Sequence, residues 1–308
     1  MRQTSSVLLA SGLFERRFEL VELDLADMAS VRKAAEGDDN LVGRAGDDVI
    51  FGGDGDDTLS GLSGSDMLDG GGGNDNLNGG NHDDTCIGAE GDDRLAGSLG
   101  DDDLQGGPGA DELIGGDGAD DLDGGIGNDE LSGGPGEDVI DGGAGEDELG
   151  EMADADFDLG DNSLVTDDGN GVVETDVLTD VEAANIEGGA GNNTVDASDF
   201  NGDVSLSGNE GNDELIGGSG NDVLDGGLGN DDMTGGDGDD EMSGQDGMDT
   251  MDGGAGNDDL SGGEGDDSML GQDGMDSLDG GLGSDELNGQ DGNDHLVGGG
   301  GDDLMTGG

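Results

Sequence analysis

The sequence predicts an all-β solenoid, in which coils of two short parallel strands and two tight turns stack on one another. Three observations predict it. Aspartate recurs every ninth residue without a slip from Asp39 to Asp147, and again from Asp213 to Asp303. Each of these residues sits in one frame, Gly-Gly-x-Gly-x-Asp-x-Leu-x, as in Gly115, Gly116, Gly118, Asp120 and Leu122 or in Gly226, Gly227, Gly229, Asp231 and Met233. Aromatic residues make up only 2% of the 308, with no Trp or Tyr, so a thick globular core is not available. A fixed period this short means one small unit stacked many times.

Composition bounds the partners. Asp and Glu number 81 against 7 Lys and Arg, for a formal net charge of -74, and no Lys or Arg follows Arg94. Carboxylates at this density repel one another, so the chain without cations is expected to be expanded. Nucleic acid would be repelled and is excluded as a partner, while cations are favoured. The single Cys86 rules out an internal disulfide framework, and with only His82 and His295 beside it no zinc site is expected. The longest apolar run, Val7 to Phe14, is too short to span a bilayer. Glu15-Arg16-Arg17 follows it with no small-x-small cleavage pattern, so no signal peptide is predicted.

Four segments follow in order. Residues 1-33 carry mixed charge and no repeat, and are expected to cap the first coil, with a short helix possible over Asp24 to Ala35. Residues 34-150 form the first array, thirteen nonapeptides in one phase. Residues 151-207 break phase, yet Leu178, Ile186, Val195, Leu206 and Leu215 keep a spacing near nine. This spacer is read as degenerate coils without full turns, including a worn repeat with Asn193 in the aspartate place, plus a small excursion around Asp167-Asp168-Gly169-Asn170-Gly171. Residues 208-308 form the second array, with eleven more units.

Within a unit, glycines at positions one, two and four suit positive φ and leave carbonyls unshielded. The position-six Asp adds a hard anionic oxygen. The closing x-Leu-x is expected to make a minimal strand with the central side chain inward. Two units make one coil; stacking coils roughly 4.8 Å apart brings the carboxylates of units n and n+2 to the same gap. Two carboxylates and several carbonyls supply about six oxygens, which suits calcium better than magnesium, an ion that demands a tighter octahedron and keeps its waters. The candidate ligands are Asp39, Asp48, Asp57, Asp66, Asp75, Asp84, Asp93, Asp102, Asp111, Asp120, Asp129, Asp138 and Asp147 in the first array. In the second they are Asp213, Asp222, Asp231, Asp240, Asp249, Asp258, Asp267, Asp276, Asp285, Asp294 and Asp303.

These glycine-rich nonapeptides resemble the repeats-in-toxin (RTX), or haemolysin-type calcium-binding, family. The resemblance implies a right-handed parallel β-roll that binds calcium in its turns, secretion through a type I apparatus in an unfolded state, and folding outside the cell on meeting calcium. Pairing units n and n+2 gives eleven gaps in the first array and nine in the second, hence up to about twenty ions. The function expected is a secreted, non-enzymatic calcium-binding repeat protein with a structural, surface or adhesive role. The alternative is the calcium-dependent secretion and folding module of a larger type I-secreted enzyme or toxin. The macromolecular partner is not readable from the residues.

Departures from the frame are few. His82 takes the fourth-position Gly and is read as a lapse in one turn; Cys86 takes the inward Leu place as a small buried residue; His295 sits at an outward place. Arg44, Leu62, Ala89, Ser98, Asn209, Gln245, Gln272 and Gln290 replace the second Gly, a mild change if φ there is negative. Acidic residues at positions five and seven, such as Asp103, Glu112 and Asp121, are read as solvated charge. Asp154-Ala155-Asp156-Phe157-Asp158 starts like an EF-hand loop, but Leu159 and Val165 stand where Gly and Glu belong. No Ser/His/Asp set stands outside the repeat frame, so no active site is predicted.

Overall fold

Inward leucines at an eighteen-residue beat decide the architecture. The computed structural model describes residues 30–33, 37–167, 169 and 173–308. Among these, every regular element is a strand, and the strands alternate between two sheets as the chain winds. Strand Asp121–Ile126 pairs in parallel with Asp103–Pro108 before it and Val139–Ala144 after it, placing Leu122 against Leu104 and Ile140. On the opposite sheet, Glu112–Asp117 lies between Arg94–Leu99 and Glu130–Ser132, with Leu113 against Leu95 and Leu131. The result is a parallel β-roll, as the sequence predicts.

The core is a single file of inward side chains from each sheet, running from Ile50 through Leu104 and Leu149 to Leu287 in one continuous cluster. Cys86 fills its leucine place fully buried. Burial pushes its thiol pKa up, with the charges of Asp84 and Asp102 adding to the shift. His295 lies on the outside. A core one side chain deep suffices because each coil is covered above and below by its neighbours.

Many strands are longer than expected. They run six residues, as in Thr58–Ser63 or Asp232–Asp237, and continue through both glycine places, whereas Glu130–Ser132, Val223–Asp225 and Glu286–Asn288 stop after x-Leu-x as expected. Backbone hydrogen bonding to the next coil needs no side chain, so Gly-Gly extends the ladder, and the first Gly faces inward beside the leucine.

The expectation of a short helix over Asp24 to Ala35 fails where it can be seen. Ser30–Lys33 is an edge strand paired in parallel with Asp48 to Phe51, because the open edge of the first coil offers ladder partners that a short helix forgoes. The rest of that helix, and the cap over residues 1–29, lie outside the described residues.

In the spacer both sheets continue. Glu148–Met152 pairs with Ala183–Glu187, which pairs with Asp203–Ser207, and Leu178, Ile186, Val195, Leu206 and Leu215 are all buried. The excursion is a three-strand meander: Asp156–Gly160 and Ser163–Asp167 pair antiparallel, and Ser163–Asp167 pairs antiparallel with Val173–Thr179. Val173–Thr179 closes the first array by pairing with Val139–Ala144, and Asp156–Gly160 opens the next stretch by pairing with Thr194–Asp199. The loop around Asp168 and Asn170-Gly171 falls outside the described residues, except for Gly169. Asp156–Gly160 is a strand, which disposes of the EF-hand loop.

The insertion widens one sheet only. Between Val139–Ala144 and Thr194–Asp199 the first sheet holds three strands, whereas between Glu148–Met152 and Asp203–Ser207 the second holds one. Two extra strands amount to about 9.6 Å of added ladder on one face. Phe157, Leu159 and Leu164 are buried in the core there, and a cavity of about 270 Å³ is lined in part by Pro135, Glu151, Phe157 and Glu174.

Candidate metal sites in the turns

Each turn is held to the next coil by its aspartate. The backbone N–H of Asp102 donates to Oδ1 of Asp120 at 2.8 Å, and that of Asp120 to Oδ1 of Asp138 at 2.7 Å. The same bond recurs from Asp39 to Asp147 and from Asp213 to Asp303, always to the aspartate eighteen residues on. The structure thus brings together the aspartates of units n and n+2, on two files flanking the core. Asp39, Asp294 and Asp303 at the ends are half-buried; the other candidates are buried.

The second carboxylate oxygen is the unusual one. From Asp57 to Asp147 and from Asp213 to Asp294, every Oδ2 of the frame is buried without a hydrogen-bond partner. A Cβ added at Gly115 would meet Asp120 Oδ2 at 2.4 Å and the carbonyl oxygen of Gly133 at 2.6 Å, so this glycine keeps clear a cradle lined by oxygen. At Gly118 the backbone runs against the Gly100 carbonyl, 1.7 Å from where a Cβ would stand, so any other residue there would force a shift. Buried, unpaired carboxylate oxygens are costly, and a hard cation with oxygen ligands is the chemistry that offsets them.

Electrostatics agree. Burial first, and neighbouring carboxylates second, push Asp84 and Asp249 up to about 7, against the lowering effect of the N–H groups of Asp66 and Asp231. Asp75, Asp111, Asp120, Asp213, Asp222, Asp240 and Asp258 rise to about 6, with burial again the largest cause. Among the described residues, no three Asp, Glu, His or Cys side chains converge as a ready metal cluster. An ion here would take its carboxylates from two neighbouring turns and its remaining oxygens from the backbone. The donor set is all oxygen and fits calcium.

Sequence reasoning missed several residues. Asp176 accepts from the Asp138 N–H at 3.0 Å, taking the ladder place across 38 residues, and Glu182 accepts from the Asp147 N–H at 3.0 Å. Asp176-Val177-Leu178 does carry the Asp-x-Leu signal, but out of phase. Glu151 accepts from Gly133 and Gly134, and Glu174 from Gly136, so three spacer carboxylates close the turn ending at Asp138. Asp138 and Glu151 are pushed up to about 7, and Asp176 to about 6, chiefly by burial. Asn193 keeps only the donor half of the ladder: its N–H donates to Asp213, while its Oδ1 accepts from Gly189 in its own turn.

Position five corrects a second reading. Its side chains are not merely solvated charge: Oδ1 of Asp38 accepts from Asp56 N–H, Asp56 from Asn74, and Asn74 from Asp92, and the pattern resumes from Asn212 through Asn230. This ladder runs opposite to the position-six one. Neighbouring N–H groups of one turn are therefore clamped in opposite directions along the stack.

The second-position replacements are not mild. Leu62, Ala89, Ser98, Asn209, Gln245, Gln272 and Gln290 all keep left-handed φ between 64° and 88°, because the turn geometry is imposed by the stack. Gln245 and Gln272 recover a hydrogen bond to Asp225 and Asp252 in the preceding coil. Arg44 escapes the left-handed region, and its N–H instead donates to Asp48 Oδ2 at 2.5 Å. His82 keeps φ at 78° and its Nδ1 lies 2.6 Å from the Asn81 carbonyl, a local pairing that involves no second turn.

A family described as RTX calcium-binding nonapeptide repeat (4 copies) matches residues 34–68, 60–95, 96–131, 124–149, 185–204, 207–242, 243–278 and 270–305. No curated protein matches the chain significantly. Among the described residues no helix is long and apolar enough to cross a membrane.

Proposed function

Because the chain belongs to the family of RTX calcium-binding nonapeptide repeats, and is thus a calcium-binding repeat protein, we propose that its repeat aspartates are the ligands and that calcium is a structural part of the fold. The observation that carries this reading is the unpartnered Oδ2 on nearly every frame aspartate. Asp120 and Asp138, with turn carbonyls such as that of Gly133, would hold one ion between two coils; Asp231 and Asp249 would do the same in the second array. When bound, the ion supplies positive charge that offsets two carboxylates and ties adjacent turns together. About twenty ions would offset about forty of the negative charges.

Binding that exists only in the folded state adds its free energy to stability. Calcium loading and folding are then one equilibrium. Sites with Kd on the order of 0.1–1 mM suit an ion scarce in cytoplasm and plentiful outside it, which favours a secreted protein exported unfolded through a type I apparatus. Its role is structural and non-enzymatic, as a matrix, surface or adhesive element that stiffens outside the cell. Circular dichroism and calorimetry against calcium test this together: strand signal should appear with calcium, at a stoichiometry somewhat below twenty. Strand content already complete in excess chelator, or a count of two or three ions, would overturn it.

A further inference from the structure

The two arrays have the same frame and different cores. The first array lines its interior from Ile50 to Leu149 with Leu, Ile and one Cys, and holds no buried Met. In the second, Met233, Met251 and Met269 stack in register on one sheet, and Met242 stands on the facing sheet between Leu224 and Leu260. All four are at most 1% exposed. Met67, Met152, Met248, Met275 and Met305 lie in the open.

We propose that Met233, Met242, Met251 and Met269 are an oxidation site, reachable by a hydroperoxide only before calcium loads, whose state decides whether the second array can form. This inference rests on the calcium-coupled folding proposed above. The thioether sulfur attacks the distal peroxide oxygen, the O–O bond breaks, and sulfoxide and water (or the alcohol) are produced; sulfur is oxidised by two electrons and the peroxide is reduced by the same two. A sulfoxide is polar, and a core one side chain deep between two parallel ladders has no free donor to meet its oxygen. Closing the coil over it would leave that oxygen unpaired. Once the coil is closed, peroxide has no path to the four sulfurs, so calcium itself protects them. Leucine at the same places in the first array cannot be modified this way.

The test uses the full chain with Cys86→Ala, so that no thiol competes. Hydrogen peroxide is applied in chelator or in excess calcium, sulfoxide is mapped by peptide mass spectrometry, and calcium uptake is then measured. With calcium present first, the four buried methionines should react about tenfold or more slowly than Met248 and Met275. After oxidation in chelator, the ion count should fall to that of the first array, and methionine sulfoxide reductase should restore it. The variant with Met233→Leu, Met242→Leu, Met251→Leu and Met269→Leu should keep its full count after the same treatment.

Full calcium uptake by the oxidised chain, or an equal loss in the leucine variant, would overturn the proposal. If instead the four methionines are protected even in chelator and strand content there is complete, the coupled-folding reading falls, and this proposal with it. Free reaction in chelator followed by unchanged uptake leaves coupled folding standing and removes only the oxidation switch.

Discussion

Asp120 donates its backbone N–H to Oδ1 of Asp138, one coil further on, at 2.7 Å, while Oδ2 of the same Asp138 is buried with no partner. One oxygen of each carboxylate is structural and the other is available to a cation. The two roles can be separated by substitution.

Asp249→Asn keeps an oxygen that can accept from the Asp231 N–H and removes the charge. Calcium stoichiometry should drop by one or two ions, and the loaded protein should lose on the order of 1–3 kcal/mol. Without calcium the sign reverses, since a buried carboxylate is gone. Urea melts of both forms, with and without calcium, check the crossover.

Acid should favour the calcium-free fold. Burial holds Asp84, Asp138 and Asp249 at about 7 in the fold, well above the ordinary carboxylate value near 3.9. The fold then binds more protons than the unfolded chain, so this contribution to stability is fully present below the ordinary value and lost as pH rises through 6 to 7. Strand content of calcium-free protein should be higher at pH 4 than at pH 7.5. Calcium affinity should move the other way, weakening below about pH 6 as protons compete for the same oxygens. Calorimetry at three pH values reads that second half.

The position-five ladder has gaps. Ala110 and Ala119 offer no side-chain oxygen to the turns of Asn128 and Glu137, although both donate their own N–H groups to Asp92 and Asp101. Ala110→Asn and Ala119→Asn should each raise the stability of the loaded protein by about 0.5–1.5 kcal/mol. Asn230→Ala, which strips the acceptor from the Met248 N–H, should cost a similar amount. Thermal melts in excess calcium distinguish the three.

Leu62 and Gln272 share left-handed backbone, at φ 80° and 71°, but only Gln272 recovers a bond from it. Leu62→Gly should relieve roughly 1–2 kcal/mol of strain, partly offset by about 0.4–1 kcal/mol of added chain entropy in the unfolded state. Gln272→Gly should be close to neutral, because the lost hydrogen bond to Asp252 cancels the relief. The difference between the two melting temperatures is the quantity to measure.

Much of this was legible in the residues. The ninefold beat gave the coil, the inward file from Ile50 to Leu287 and the pairing of aspartates two units apart, since each depends only on a local pattern repeated in phase. Position five was misread because an acidic residue at the surface looks the same in sequence whether it is solvated or accepts a hydrogen bond from the next coil. The φ at Leu62 or Gln290 was misjudged for a related reason: the stack, not the residue, sets the turn.

By itself, then, the sequence determined the repeating unit, its two-strand coil and the oxygen-rich turn, because the forces that shape a unit act within nine residues and between like neighbours. Only the tertiary structure decided how the arrays join. Asp176 takes the ladder place above Asp138, and Val173–Thr179 closes the first array, across a stretch where the beat is lost. Which strand pairs across that gap is written in no nine-residue pattern, because the partners lie far apart in the chain. The meander buries Phe157, Leu159 and Leu164 and adds two strands to one sheet.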